Sequence, residues 1–277
     1  MLFTNQISNA KEKAGMKVLV AYDGTLHAKT ALKYGLRKVR ESGGDLTVLH
    51  VFNRNMFIHY EAIPQAEDIA RKESARHVEE AENIIKQQGN GIKAGIVVQD
   101  GNPEKEIVAY AKAENIDIIL SPHRFRSIIR RSPCPVSFIP GEILIPIDNK
   151  DDVITEIDQI AEEAALTVSR VVLLGIVPVH IYSRWERTEL DLVKRETSEA
   201  LIAVGKMLTD HGIENRQILR SGYPDEEIIR AADECTLSMI MYLSGNRRPS
   251  ELNKAVHIIL DEPRRLRAPL LSRPATG

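Results

Sequence analysis

Short apolar runs alternate with longer amphipathic stretches along this chain. The first run, residues 17–24, is apolar on both faces and ends on Asp23 and Gly24. A run of this length before a turn signal predicts a buried strand, and two apolar faces are typical of a parallel strand covered by helices. Apolar residues then recur at helical spacing from Ala28 to Val39, with Thr25 as the predicted N-cap. Asp23 is therefore expected at the carboxyl end of the first strand, where open α/β sheets bind ligands.

The same alternation continues to residue 140. Four further strands are predicted, at residues 45–51, 92–99, 116–120 and within 132–139. A long charged amphipathic helix is predicted over residues 62–88, and another helix begins near Pro103. The prolines of the last run suit a strand at the edge of a sheet. Because strands alternate with helices, the sheet is expected to be parallel with right-handed crossovers.

The pattern then starts again. Residues 143–148 repeat residues 18–23, and residues 221–229 align with residues 100–108 without a gap. Four positions of that alignment are identical: Gly101/Gly222, Pro103/Pro224, Glu106/Glu227 and Ile107/Ile228. Such an ordered repeat predicts two βαβα domains, residues 16–140 and residues 142–273. The predicted fold class is therefore α/β, with two tandem doubly wound domains.

Composition narrows the class of protein. A hydrophobic content of 43%, a charged content of 27% and a net charge of -2 are typical of a soluble globular protein without a general attraction to nucleic acid. Cys134 and Cys235 lack the spacing of metal ligands, which argues against a zinc site or a disulfide scaffold. Their use suits a reducing cytoplasm, the expected location. No apolar run approaches the length of a membrane span.

Four motifs in the first half resemble the universal stress protein family, and the repeat resembles its tandem, two-domain form. These motifs are the strand with Asp-Gly-Thr at 17–25, Val-Leu-His-Val at 48–51, Gly-Asn-Pro-Glu-Lys-Glu-Ile at 101–107 and Ser-Pro-Cys-Pro-Val at 132–136. The resemblance implies a five-stranded parallel sheet in each domain, of the adenine nucleotide alpha hydrolase-like type. It also implies pairing of two domains through their fifth strands, so that the halves would form an internal pseudo-dimer or the chain a homodimer.

The resemblance further implies an adenine-nucleotide site, for ATP or AMP, at the carboxyl ends of the strands of each domain. The residues at matching positions are Asp23, Val51 and Gly101 in the first half, and Asp148, Val177, Gly222 and Gly245 in the second. Each has a structural alternative. The acids could serve only as helix caps, the valines could be plain core residues, and the glycines could serve only their turns.

The glycine-rich phosphate loop of the ATP-binding members is missing. In those members, glycines after the fourth strand let backbone N–H groups approach the phosphates. Residues 121–131 contain no glycine and form a contracted segment, and the corresponding segment of the second half keeps only Gly245. Both sites are therefore expected to be degenerate. Arginines replace the first loop (Arg124, Arg126, Arg130 and Arg131), and they could bind phosphate, dock an acidic partner or form a solvated basic surface.

No Ser-His-Asp order, metal motif or paired carboxylate points to an enzyme, so neither catalytic nor metal-ligating residues are expected. The resemblance favours a stress-response or regulatory binding module that recognises a protein partner and an adenine nucleotide. One alternative is a scaffold or accessory regulatory subunit of a transporter or larger complex that binds no nucleotide. Another is a slow ATP-hydrolysing or adenylyl-transferring enzyme, against which the missing loop counts. Neither nucleic-acid binding nor membrane insertion is expected.

Overall fold

The computed structural model describes residues 15–52, 66–147, 153–154, 156–183, 185–243, 251–261 and 268–273. The chain divides into two structural units, and the boundary between them lies between Pro140 and Gly141. Within these described ranges, no helix is both long enough and apolar enough to cross a membrane.

The first unit is a parallel sheet wound with helices. Its elements in chain order are β1 (Lys17–Tyr22), α1 (Leu26–Ser42), β2 (Asp45–Phe52), α2 (Ala66–Gln88), β3 (Lys93–Asp100), α3 (Pro103–Ala113), β4 (Ile118–Ser121), a 3₁₀ helix (His123–Arg130) and β5 (Val136–Phe138). The strand order is β3-β2-β1-β4-β5, and every described pairing is parallel. The sheet is doubly wound because the chain crosses over in opposite directions from β1, toward β2 and toward β4.

The second unit repeats this plan. Its elements are β6 (Glu142–Ile147), α4 (Ile157–Thr167), β7 (Arg170–Val177), α5 (Arg187–Asp210), β8 (Asn215–Ser221), α6 (Pro224–Glu234), β9 (Leu237–Leu243), α7 (Glu251–Asp261) and β10 (Leu270–Arg273). The strand order β10-β9-β6-β7-β8 equals that of the first sheet read from the opposite edge. Two tandem α/β sheets of five parallel strands, the predicted fold class, are therefore confirmed.

The predicted start of α1 is also correct. The Thr25 hydroxyl accepts a hydrogen bond from the Ala28 N–H at 3.2 Å, which satisfies one of the backbone donors at the helix start. Gly43 ends the helix in a left-handed conformation, with φ of 67°. On the strand before this helix, Val18 to Ala21 are buried on both faces, as a central parallel strand requires.

The fifth strand is shorter than the apolar run that predicted it. β5 covers only Val136–Phe138, and it lies at the edge of its sheet, as its prolines indicate. Cys134 falls in the bend before this strand and is half-buried. Its Sγ lies 3.8 Å from the Ser132 hydroxyl. Burial raises the pKa of the Cys134 thiol to about 11, so the thiolate needed for nucleophilic chemistry is disfavoured.

Candidate functional site

A cavity of about 230 Å³ lies at the carboxyl ends of β1 and β2. Its wall is formed by the ends of both strands, one face of α2, the start of α3 and the 3₁₀ helix. This is the position at which ligands bind in open α/β sheets. Two of the residues that the sequence placed at a site, Asp23 and Val51, lie together in this wall.

Asp23 both lines the cavity and braces the start of α1. Its Oδ1 accepts hydrogen bonds from the Thr25 N–H at 3.0 Å and from the Thr25 hydroxyl at 2.5 Å. Thr25, and not Asp23, is the residue that caps the helix. The Asp23 side chain therefore both holds Thr25 at the start of α1 and forms part of the cavity wall.

His50 ties β2 to α2 at the cavity. Its Nδ1 lies 2.9 Å from the Tyr22 carbonyl oxygen, and its Nε2 lies 2.9 Å from the Ser74 hydroxyl. Because a carbonyl oxygen can only accept, Nδ1 carries a proton, and in the neutral form of the ring the Ser74 hydroxyl donates to Nε2. The His50 side chain is buried, and this bond fixes Ser74 in the cavity wall.

A second imidazole, that of His77, completes this side of the cavity. The His50 and His77 ring centroids are 5.6 Å apart, in an edge-to-face arrangement at 81°. The His77 ring lies against Gly24, where an added Cβ would approach Cδ2 of the ring to 2.2 Å. Gly24 also has φ of +77°, so the turn after Asp23 needs glycine for both reasons.

Tyr22 lies beside His50 on the neighbouring strand and is buried, with 2% of its surface exposed. Burial raises the pKa of its phenol to about 12, and the nearby carboxylates of Glu80 and Asp23 add to that effect. No hydrogen-bond partner of the Tyr22 hydroxyl is found among the residues that the structure describes. The ring therefore contributes a neutral, aromatic surface to the cavity at physiological pH.

The 3₁₀ helix follows β4, at the position where the ATP-binding members of the family carry a glycine-rich loop. The segment is kinked at Phe125, which has φ of -97° and ψ of 26°. Pro122, Phe125 and Ile128 are all buried. Phe125 and Ile128 pack into the core of the first unit, and Phe125 also lines the cavity. In the contracted segment, a side chain thus forms the part of the cavity wall that a loop backbone would otherwise form.

The arginines of this segment do not line the cavity. Arg126 and Arg130 are exposed, and Arg131 pairs with Glu104 of α3 at 3.6 Å. The side chain of Arg124 lies outside the described part of the chain. For the three described arginines, the structure therefore offers no phosphate contact inside the cavity.

Gly101 lies beside the cavity, and it packs against a glutamate of the following helix. It has φ of +146°, and an added Cβ would approach Glu106 Oε1 to 2.9 Å. Gly222 repeats this arrangement, since its added Cβ would lie 3.0 Å from Cγ of Glu227. The coincidence of glycine and glutamate in the two halves thus reflects a duplicated packing contact.

The corresponding edge of the second unit is built differently. Val177 is buried at the end of β7, and its carbonyl accepts a hydrogen bond from the Gly222 N–H at 3.1 Å. Beyond these residues, the rings of His180 and Tyr223 stack with centroids 4.4 Å apart. The Nε2 atom of His180 also lies 3.5 Å from the Glu251 carboxylate.

Asp148 and Gly245, the other two predicted site residues of the second half, lie outside the described residues. Nowhere in the described ranges do three or more His, Cys, Asp or Glu side chains come together as a group that could hold a metal ion.

The sequence by itself predicts no role in a site for His50, and it does not predict Ser74, His77 or Phe125 as cavity residues. One signal was available. Ser74 and His77 are three residues apart, so they share one face of the predicted helix. That His50 faces the same helix could be learned only from the packing of α2 on β2.

The strand order and the cavity at the ends of β1 and β2 define a doubly wound α/β protein. The sequence model of the universal stress protein family matches residues 16–140. The first domain of the chain thus matches the universal stress protein family.

Solved structures of universal stress proteins are similar to this chain at low sequence identity. A universal stress protein from Archaeoglobus fulgidus DSM 4304 is 16% identical with a TM-score of 0.42, covering 93% of this chain and 96% of its own. A putative universal stress protein from Pseudomonas aeruginosa UCBPP-PA14 is 16% identical with a TM-score of 0.38, covering 94% and 93%. The universal stress protein UspA from Lactobacillus plantarum is 20% identical with a TM-score of 0.37, covering 46% and 99%. No curated protein matches the chain.

Proposed function

We propose that the first domain is a regulatory binding module that takes a small adenine compound in the cavity beside Asp23 and Val51. The observation that carries the proposal is the cavity itself. It lies at the carboxyl ends of β1 and β2, and it brings together an acid, two strand-end residues and a polar face of α2. A concave, largely apolar site with a few convergent polar groups is the usual form of a small-molecule site.

The size of the cavity limits what fits. Sites for drug-sized ligands measure roughly 300–1,000 Å³, whereas this one measures about 230 Å³. A purine base with its ribose is therefore a better match than a complete nucleoside triphosphate. In this proposal, ATP or AMP would be held mainly through its adenosine part.

The proposed mechanism is regulation by occupancy, without chemistry on the ligand. A ligand in the cavity would contact β1, β2, α2 and the 3₁₀ helix at once. Binding to the folded state alone would stabilise that arrangement. The changed surface at this edge of the sheet would then be recognised by a protein partner.

The test uses the full chain and two substitutions on one helix. Ala70 of α2 lines the cavity, whereas Ala75 of the same helix is exposed and does not line it. We expect adenosine, AMP or ATP with Mg²⁺ to raise the melting temperature of the unsubstituted protein and of Ala75→Phe. The Ala70→Phe variant should show no shift, because its new ring fills the cavity. At a ligand concentration one hundred times the dissociation constant, the gain is about 2.7 kcal/mol.

Mass spectrometry of the supernatant after denaturation would identify any adenine compound that co-purifies. An absence of any shift with all three compounds, together with no co-purified compound, would contradict the proposal.

That result would favour the second candidate, a scaffold or accessory subunit. The observation that favours this candidate is the packing of Phe125 and Ile128 into the core. The segment that would carry a phosphate-binding loop is thus used for core packing. Trp185, 90% exposed in the second unit, would then be a first place to look for a partner contact.

A further inference from the structure

We propose that the cavity beside Asp23 selects a phosphate-free ligand, an uncharged aromatic heterocycle of about nucleoside size, over the corresponding nucleotide. The inference rests on the proposed function, since it concerns which adenine compound occupies that cavity. Three features of the cavity carry it: the charge of its wall, the state of the nearby helix N-termini and the position of Phe125.

The charged residues of the wall are acidic. Asp23 and Glu73 both line the cavity, and no lysine or arginine does so in the part of the chain that the structure describes. Arg71 stands outside the lining, with its guanidinium 5.7 Å from the centroid of the Phe52 ring. The half-buried Asp23 carboxylate repels a phosphate more strongly than it would in bulk water, and the exposed Glu73 carboxylate adds a weaker, solvent-screened repulsion. A ligand without phosphate avoids that repulsion.

The helix N-termini next to the cavity are already occupied. A helix N-terminus can bind phosphate through its unpaired N–H groups. At α3, Pro103 lines the cavity but has no N–H, and the Asn102 side chain accepts from the Lys105 N–H at 3.1 Å. Glu104 and Glu106 add two carboxylates to this first turn. The partial positive charge at the start of α3 is therefore already compensated by the protein's own side chains.

The N-terminus of α1 is served in the same way. Thr25 caps it, and Asp23 accepts the Thr25 N–H at 3.0 Å. An incoming phosphate would have to compete with the Asp23 carboxylate for this donor, and it would meet a like charge there. Neither helix therefore offers the anion site that a nucleotide needs.

Phe125 occupies the position of the glycine-rich loop, the other feature that could bind phosphate. The side chain of this residue, and not a glycine backbone, forms the wall on the side of the 3₁₀ helix. Together with Phe52 and Val51 it supplies flat and apolar surface that suits a heterocyclic ring. The Asp23 carboxylate and the Ser74 hydroxyl are the polar groups that ribose hydroxyls or ring nitrogens could meet.

The experiment compares adenosine, AMP and ATP with Mg²⁺ by calorimetric titration of the full chain. We expect adenosine to bind at least tenfold more tightly than AMP, and ATP to bind no better than AMP. The Glu73→Gln substitution removes one of the two carboxylates. It should therefore lower the ratio of the AMP dissociation constant to the adenosine dissociation constant. Glu79→Gln should leave the ratio unchanged, because Glu79 is likewise exposed on the same helix but does not line the cavity.

Phe125 is tested against a matched neighbour. Ile128 is buried in the same segment and the same core but does not line the cavity. Phe125→Ala should improve the binding of AMP relative to adenosine, whereas Ile128→Ala should not, although both enlarge the core. This pair separates the wall of the cavity from general loosening of the helix.

The outcomes distinguish the two proposals. If AMP or ATP binds as tightly as adenosine, the preference for a phosphate-free ligand is wrong, while the adenine site stands. If the ratio is unchanged in both Glu73→Gln and Phe125→Ala, the stated causes of the preference are wrong. If none of the three compounds binds, the proposed function fails and this inference fails with it.

Discussion

The Ser74 hydroxyl is hydrogen-bonded to Nε2 of the buried His50 across 2.9 Å, and this bond joins α2 to β2 at the wall of the cavity. Other helical hydroxyls behave differently. Thr30 and Ser42 of α1 each donate to the carbonyl four residues earlier in their own helix. The Ser74 hydroxyl is therefore a tertiary contact, and its loss should affect the position of a whole helix.

Replacing this hydroxyl should loosen α2 locally. We expect Ser74→Ala to cost about 1 kcal/mol, the usual net value of one hydrogen bond. The loss should appear as faster hydrogen exchange in α2 and at the end of β2, measured by mass spectrometry. Ser42→Ala is the control, because it removes a hydroxyl that bonds only within α1. Equal protection of α2 in both variants would mean that the His50 contact does not hold the helix.

The phenol of Tyr22 should make the first domain sensitive to alkali. Burial raises its pKa from 10.0 to about 12, so between these values the unfolded chain loses a proton that the folded protein keeps. Stability from this group is therefore present below about pH 10 and is lost as the pH rises toward 12. Tyr22→Phe should flatten the fall of the melting temperature over that interval. An unchanged slope in this variant would contradict the assignment.

The same substitution should be harmless near neutral pH. The Tyr22 hydroxyl is buried, and no partner for it is found among the described residues. Replacing Tyr22 with phenylalanine breaks no hydrogen bond among the described residues, and it removes the cost of burying the hydroxyl. We expect Tyr22→Phe to melt at the same temperature as the unsubstituted protein at pH 7, or slightly higher. A large loss there would instead reveal a partner for this hydroxyl.

Glu142 should be the carboxylate on which the second domain depends. It is buried at the start of β6, where Arg170 donates to Oε1 at 3.0 Å, Arg216 at 3.2 Å, and the Thr236 N–H donates to Oε2 at 3.0 Å. Burial alone would raise the pKa of this carboxyl. The Thr236 N–H and the two guanidinium groups outweigh that effect, and the pKa is lowered.

We expect Glu142→Gln to destabilise the second domain by about 2 kcal/mol, because charged hydrogen bonds are lost while both arginines remain partly hydrated. Hydrogen exchange of peptides from β6 and β9 would measure it. Glu214→Gln is the control, since Glu214 pairs with Arg170 at 3.8 Å but is 79% exposed, and such pairs contribute little. In the unsubstituted protein, the stabilisation is present above pH 4.5 and is lost as the pH falls below it. Equal effects of the two substitutions would contradict this role.

A side chain at Gly101 should destabilise the first domain. Its φ of +146° is open almost only to glycine, and an added Cβ would press on Glu106 Oε1 at 2.9 Å. We expect Gly101→Ala to lower the unfolding free energy by about 1–3 kcal/mol, measured by urea titration. Gly95→Ala in the same β3–α3 region is the matched control, because nothing lies within 4 Å of its added Cβ. A Gly101→Ala protein as stable as this control would show that the turn relaxes freely.

Much of the fold could be predicted from periodicity and turn residues alone. Continuous apolar runs, such as Val18 to Ala21, are interpretable because a strand buried on both faces has no polar positions. The duplication of the Gly101–Glu106 motif as Gly222–Glu227 revealed the tandem arrangement, since a local packing contact leaves a local sequence pattern. The identity of the N-cap, Thr25, was readable for the same reason.

The site was less predictable because it depends on side chains far apart in sequence. Asp23 and Val51 could be placed from their positions at strand ends, and both line the cavity. Their use as ligand contacts stays a prediction. The absence of glycine from residues 121–131 was visible, but its consequence was not. Only the packing of the 3₁₀ helix shows that Phe125 takes over this wall.

The sequence by itself thus determined the α/β class, the repeat, the N-cap Thr25 and the positions of Asp23 and Val51 at strand ends. Each of these depends on residues close together in the chain, where period and turn chemistry act directly. The tertiary structure decided the character of the cavity, because it alone brings His50, Ser74 and Phe125 to the end of β1. Asp23, the acid at that end, therefore lies in a cavity with an acidic wall lined by aromatic rings, and not beside a phosphate loop.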